Sequence, residues 1–320
     1  MSQKMKLLIA YDGSECADAA LDDLRRAGLP RDTEAVVLTV ADVWGPPALP
    51  AAYDRITSDM DREIRARAQE LRQHMAQAVE EARLLAVNAS QRIQSMFPVW
   101  AVSAEACAGT PGWELIKKAD ELQPDLLVVG SHGRTALGRA LLGSVSQKVL
   151  NEAHCSVRIA RGRADADSSV VRILVAVDGS PDAGAALQAV ATRHWPAGTE
   201  IHLIAADDPF THPAGGYALW DHATQQPESN EETREWISKV IEGPTQLLRA
   251  AGLNVSHAIR WGDARHVILE EAAEWKADSI FAGARGLGRF QRFLLGSVST
   301  AVAARAHCSV EIVRTEEIAS

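Results

Sequence analysis

The sequence predicts an α/β protein of two tandem doubly wound domains, each a five-stranded parallel sheet flanked by helices, and three observations carry that expectation. Lys6-Leu-Leu-Ile-Ala-Tyr-Asp-Gly-Ser14 returns as Arg172-Ile-Leu-Val-Ala-Val-Asp-Gly-Ser180, an internal repeat with its aspartates 166 positions apart. Within each copy, short β-branched or leucine-rich runs alternate with helical patterns. The chain has 320 residues, 47% of them hydrophobic, which is enough for two domains of ordinary size, each with its own core.

The first copy places strands at Lys6–Tyr11, Ala35–Val40, Val99–Ala104, Asp125–Val129 and Ser156–Ala160. The second repeats them at Val171–Val177, Glu200–Ala205, Val255–Trp261, Asp278–Ala282 and Ser309–Val313. Their runs are apolar on both faces, as strands of a buried parallel sheet are. Between the second and third strands, Met60, Ile64, Leu71, Met75 and Val79 fall at helical spacing, with Glu63 and Arg67 placed to pair on the opposite face. Gly130, Gly143 and Cys155 recur as Gly283, Gly296 and Cys308, now 153 positions on, so the first copy is 166 − 153 = 13 residues longer between its second strand and this region. The polar, aperiodic stretch Gly162–Ser169 reads as a linker, giving domains at 1–162 and 170–315.

Composition excludes several function classes. A formal net charge of −9 argues against general nucleic-acid binding, which needs a basic face. No apolar run approaches the roughly 18 residues of a membrane span, and Met1–Ala10 lacks the pattern of a signal peptide, so a soluble cytoplasmic protein is expected. Cys16, Cys107, Cys155 and Cys308 form no Cys-x-x-Cys pair, which leaves neither a zinc cluster nor a dithiol redox site indicated.

The chemistry is concentrated in a loop after the fourth strand of each copy. Gly130-Ser-His-Gly133 with Gly143-Ser144-Val145-Ser146, and Gly283-Ala-Arg-Gly286 with Gly296-Ser297-Val298-Ser299, both fit Gly-x2-Gly-x9-Gly-Ser. Glycines admit positive φ and close backbone approach, and a helix opening at Gly143-Ser144 offers free N–H groups to an anion. The hydroxyls of Ser144 and Ser146 are expected to add donors. Neither Gly130–Lys148 nor Gly283–Thr300 contains an Asp or Glu, whereas they carry Arg134 and Arg139, and Arg285, Arg289 and Arg292. Local sign outweighs global sign for a bound anion. The architectural alternative, glycines shaping a tight loop and serines capping a helix, is weakened by the duplication. No Gly-Lys-Ser/Thr of a P-loop is present, and Gly286-Leu-Gly-Arg-Phe-Gln291 misses the last glycine of a dinucleotide fingerprint.

The strand-Asp-Gly-Ser opening, the glycine loop, and Ala-His-Cys-Ser-Val at Ala153–Val157 and Ala306–Val310 resemble the universal stress protein family over nearly the whole chain. The resemblance implies that ATP, with or without Mg²⁺, is bound in each half. It implies nucleoside contacts from Asp12 and Asp178 and a base cradle at Val40 and Ala206. It places the ribose and phosphates on Val129, Gly130, Gly133, Gly143, Ser144, Val145 and Ser146, and on Ala282, Gly283, Gly286, Gly296, Ser297, Val298 and Ser299. It also implies an internal pseudo-dimer through the last strands of the two copies, with further homodimerisation left open.

Other candidates carry less. Asp12 and Asp178 also suit a turn or helix cap, which is compatible with a nucleoside contact. His154-Cys155 and His307-Cys308 invite a Cys–His nucleophile, yet neighbours at a strand start point in opposite directions and free cysteines are often simply buried. His212 and His222 lie in an irregular stretch without metal-ligand spacing. The function expected is therefore a nucleotide-responsive regulatory protein of the stress response, with no catalytic residues assigned. A slow ATPase or nucleotide hydrolase on the same fold, and an interaction module without ligand, are the rival classes.

Overall fold

The computed structural model describes residues 4–43, 59–133, 142–162, 170–207, 220–221, 226–227, 238–286 and 295–315, except for the side chains of residues 59–65, 68, 207, 220, 221, 226, 227 and 238. The first half runs β1 (Met5–Ala10), α1 (Glu15–Asp23), β2 (Thr33–Ala41), α2 (Asp59–Met96), β3 (Ala101–Ala108), α3 (Pro111–Leu122), β4 (Leu126–Gly130), α4 (Ser144–Glu152) and β5 (Ser156–Ala160). The second half begins with β6 (Arg172–Ala176), α5 (Pro181–Thr192) and β7 (Glu200–Asp207), followed by the two-residue ladder of β8 (Trp220–Asp221) and β9 (Gln226–Pro227). It continues with α6 (Gly243–Ala250), β10 (Asn254–Trp261), α7 (Ala264–Glu274), β11 (Ser279–Gly283), α8 (Ser297–Arg305) and β12 (Ser309–Val313).

Local chemistry explains the helix starts. The Ser14 and Ser180 hydroxyls accept from the backbone N–H of Ala17 and Ala183 at 3.1 and 3.2 Å, capping α1 and α5. The caps are thus the serines, while Asp12 and Asp178 accept the N–H of those serines across Gly13 and Gly179, at φ +75° and +79°. In α2 the inward face continues from Leu71, Met75 and Val79 as the fully packed Ala82, Ala86, Ala89 and Ile93. The Glu63 side chain of the expected Glu63–Arg67 pair lies outside the described residues.

The strands fall within two residues of expectation, with one larger difference. The third strand begins at Ala101 rather than Val99 and continues to Ala108. Phe97 and Trp100 close a turn by a 3.1 Å backbone bond and stack their rings 4.0 Å apart, which turns Val99 out to solvent. The strand then follows β2 to its end, in register from Glu34↔Ala101 to Ala41↔Ala108. Burial on both faces holds for the inner strands but fails at β3 and β10, the outermost strands, where most residues are partly exposed.

All ten long strands join one sheet in the order β10-β7-β6-β11-β12-β5-β4-β1-β2-β3. Pairing is parallel within each half and antiparallel where β5 meets β12, at Val157↔Ile312, Arg158↔Glu311 and Ile159↔Val310. On one face a single core runs across this junction, uniting Val157 and Ile159 with Val310 and Ile312 and with the apolar sides of α3, α4, α7 and α8. Arg161 donates to the carbonyl of Ala303 at 2.6 Å and Arg314 to that of Leu150 at 2.6 Å. Each half thus ends on an arginine that caps the last turn of the other half's helix, the end at which a helix favours cations.

At the centre of the junction Arg158 has no exposed surface. Its Nε donates to Asp23 at 2.6 Å, Nη1 to Glu311 at 3.2 Å and Nη2 to Ser279 at 2.8 Å. Burial alone would lower its pKa, but Asp23 and Glu311 more than offset this and hold it above the ordinary arginine value. Arg193 donates to Glu311 from the other side at 2.9 Å, and the Ser309 hydroxyl donates to Asp23 at 2.7 Å. Removing one partner from such a network strands the buried charges it leaves behind. Arg158→Ala should therefore lower stability by about 3–5 kcal/mol. Urea unfolding followed by circular dichroism reads the change, and an unmoved midpoint would contradict the assignment.

Candidate functional site

In each half the first strand lies between the second and fourth, β2-β1-β4 and β7-β6-β11, so successive connections leave it in opposite directions. The carboxyl ends of β1 and β4, and of β6 and β11, therefore flank a crevice, the place where open α/β sheets receive ligands. The expected site residues converge there. Asp12 directs Oδ1 to the Ser14 N–H at 3.0 Å, and a Cβ added to Gly133 would stand 2.9 Å from its Oδ2. Asp178 repeats this with the Ser180 N–H at 2.9 Å, and a Cβ at Gly286 would stand 2.7 Å from its Oδ2. Neither glycine has positive φ, contrary to the sequence expectation. A side chain at either position would instead have to displace the Asp12 or Asp178 carboxylate that lies against it.

The loop is pinned at its base twice. Gly143 N–H donates to Ser131 O at 2.9 Å and Gly296 N–H to Ala284 O at 2.8 Å. Ser146 and Ser299, both buried, donate their hydroxyls to Gly130 O and Gly283 O at 2.7 Å. These two hydroxyls are structural ties and not the free donors expected. Ser144 and Ser297 are exposed, and α4 and α8 follow Gly143 and Gly296 as N-caps, with no described side chain capping their first-turn N–H groups. A negative group there gains about 0.3–1 kcal/mol from the helix dipole.

Val129 and Ala282 are packed in the shared core, so they position Gly130 and Gly283 and present no side chain to the crevice. Val145 and Val298 are half-buried against the same core. Val40 and Ala206 occupy equivalent half-buried positions near the carboxyl ends of β2 and β7, opposite Cys107 and Arg260. Arg134, Arg139, Arg289, Arg292, His212 and His222 lie outside the described residues. No cluster of three His, Cys, Asp or Glu side chains suited to a metal occurs among the described residues.

The halves differ beside the loop. In the second, the buried Asp182 accepts the Arg285 backbone N–H and Nε, each at 3.0 Å, and the Thr315 hydroxyl at 3.0 Å. Arg285 is therefore committed to an internal carboxylate and does not add the uncompensated positive charge that the sequence suggested. In the first half the matching positions are Cys16 and His132. Burial and nearby Arg161 lower the His132 pKa, keeping it neutral at pH 7, with Nδ1 3.1 Å from the Ser131 hydroxyl. Asp182 went unnoticed in the sequence; its only signal was an acidic residue where the other copy has Cys16.

A model of the universal stress protein family matches residues 5–161 and again 170–314. The chain belongs to that family. A universal stress protein of Staphylococcus haemolyticus is 33% identical over 151 residues, 46% of this chain and 86% of its own. The crystal structure of a universal stress protein from Archaeoglobus fulgidus matches 97% of this chain and 96% of its own at 21% identity and TM-score 0.59. A universal stress protein solved in complex with cAMP matches 46% of this chain and 98% of its own, at 22% identity and TM-score 0.32. The solved likenesses bear on fold; the chain's own residues must carry any ligand assignment. No described helix is long and apolar enough to cross a membrane.

The His-Cys pairs are not poised nucleophiles. His154 is exposed, with Nδ1 3.2 Å from Asp120. Burial pushes the Cys155 thiol up to about 11 and the Cys308 thiol up to about 12. At pH 7.5 both should remain unmodified by iodoacetamide in the folded protein and react once it is unfolded in urea; mass mapping of native-state labelling at either residue would contradict this.

Proposed function

We propose that each half of this universal stress protein binds one adenine nucleotide, with ATP the expected form, and that occupancy rather than turnover is what it transmits in stress regulation. The observation that carries the reading is the same constellation found twice. In both crevices a carboxylate held by an Asp-Gly-Ser turn lies against a loop glycine, beside a helix start with an exposed serine and no side-chain cap. Asp12 and Asp178 would meet the nucleoside hydroxyls, and Val40 and Ala206 would flank the base. The backbone of Gly130–Gly133 and Gly283–Gly286, with the starts of α4 and α8, would hold the phosphates. Mg²⁺ would depend chiefly on phosphate oxygens, since the described residues assemble no acidic cage.

The case for catalysis is weaker. Phosphoryl transfer needs a positioned nucleophile and, commonly, a base or water-orienting group. Neither loop sequence contains a carboxylate, and neutral His132 is replaced by the committed Arg285 in the second half. Any hydrolysis should stay well below about 1 per second, the lower end of ordinary enzyme turnover.

Calorimetric titration with ATP should resolve up to two sites per chain, and nucleotide at about 100 times the dissociation constant should add ~2.7 kcal/mol of stability per site. Gly133→Val or Gly286→Val should weaken its own site at least about tenfold and spare the other, because the new Cβ displaces the Asp12 or Asp178 carboxylate. Unchanged affinity in both variants would make the loop purely architectural.

A further inference from the structure

The two halves are copies of one repeat, and Val157 and Ile159 return across the junction as Val310 and Ile312, yet the central facing pair is not repeated. Arg158 and Glu311 are equivalent positions, 153 apart, and stand opposite each other in the antiparallel register. Because equivalent positions face each other there, a pair of first halves would set Arg158 against Arg158, and a pair of second halves Glu311 against Glu311. Like charges directly opposite in an antiparallel ladder repel, and here no solvent reaches them. Asp23 and Arg193, which pair with Arg158 and Glu311 inside their own halves, offset part of that repulsion, and a like pair still loses the Arg158–Glu311 bond.

The surroundings add to the discrimination. Arg158 Nη2 uses the Ser279 hydroxyl of the other half, at 2.8 Å; the first half's counterpart of Ser279 is the buried Leu126, which offers no acceptor. Gly28, at φ +64°, lies so close to the Trp195 ring that a Cβ would stand 2.6 Å from it. The second half's counterpart of Gly28 is His194, whose Cβ would be driven into that ring if two second halves met. Arg193, which grips Glu311 and also donates to Ala27 O at 2.8 Å, has Ala27 itself as its counterpart.

We propose that this edge is a recognition surface with a pairing code: each half accepts only a half of the opposite type and rejects its own kind. The partner that fits β5 is the β12 edge of this same sequence, from its own chain or from a second copy. The charge pair, the Ser279 acceptor and the Gly28–Trp195 contact serve as attraction and exclusion together.

The test starts from the folded full-length chain carrying a protease site in the 163–169 linker. The chain is cut after folding and mixed with a mass-labelled cut copy in sub-denaturing urea, which is raised until labelled and unlabelled opposite halves have exchanged. Native mass spectrometry after dilution should then show first–second pairs only. First–first or second–second pairs at comparable abundance would overturn the proposal. Glu311→Gln, which keeps an oxygen acceptor but removes the charge, should raise the dissociation constant of the cut halves at least about tenfold. An unchanged constant in that variant would also overturn it.

Discussion

Arg158 is the constraint on which the rest of this molecule depends. An arginine with no exposed surface must be fully paired or the fold does not form, and its partners come from three separated places: Asp23 at the end of α1, Ser279 at the start of β11 and Glu311 in β12. Satisfying it brings the last strands of both halves into register and closes the sheet edge that each half would otherwise expose. The core then runs uninterrupted across the junction on one face.

That arrangement settles where the crevices can be. With β5 and β12 antiparallel, the parallel sheets of the two halves run in opposite senses, and each presents its own reversal of strand order at the carboxyl end of its first strand. Arg161 and Arg314 link this junction to the glycine loops, because each caps the last turn of α8 or α4, the helix whose first turn opens on the other half's crevice. A rigid nine-residue helix thus has one end at the domain junction and the other at a crevice.

Much of this was legible in the sequence because it is local and repeated. Ser156–Ala160 and Ser309–Val313 are strands residue for residue, and the Asp-Gly-Ser turns and helix starts at Ser144 and Ser297 fall where the repeat placed them. The difficulties arose where distant residues decide the outcome. Gly130 and Gly133 looked like positive-φ positions, yet the turns with positive-φ glycine that follow the first strands are at Gly13 and Gly179, and a side chain at Gly133 would meet Asp12, which reaches it across more than a hundred residues. Ser146 and Ser299 looked like ligand donors because nothing in the sequence announces that the carbonyls of Gly130 and Gly283 will claim them. Arg285 looked like a free cation, since its partner Asp182 belongs to another element. Arg158 had a visible signal, a charge within a buried strand matched by the opposite charge in the other copy, and its meaning emerges only when the strands pair.

Whether the two crevices hold the proposed adenine nucleotide is open to direct measurement. The most direct measurement is to purify the chain gently, denature it, and identify and count by mass spectrometry the small molecules released, alongside a chain carrying both Gly133→Val and Gly286→Val. The expected release is adenine nucleotide, up to two per chain and largely as intact ATP, with the doubly substituted chain releasing little or none. Release of no nucleotide from the unaltered chain, or of equal amounts from both, would contradict it.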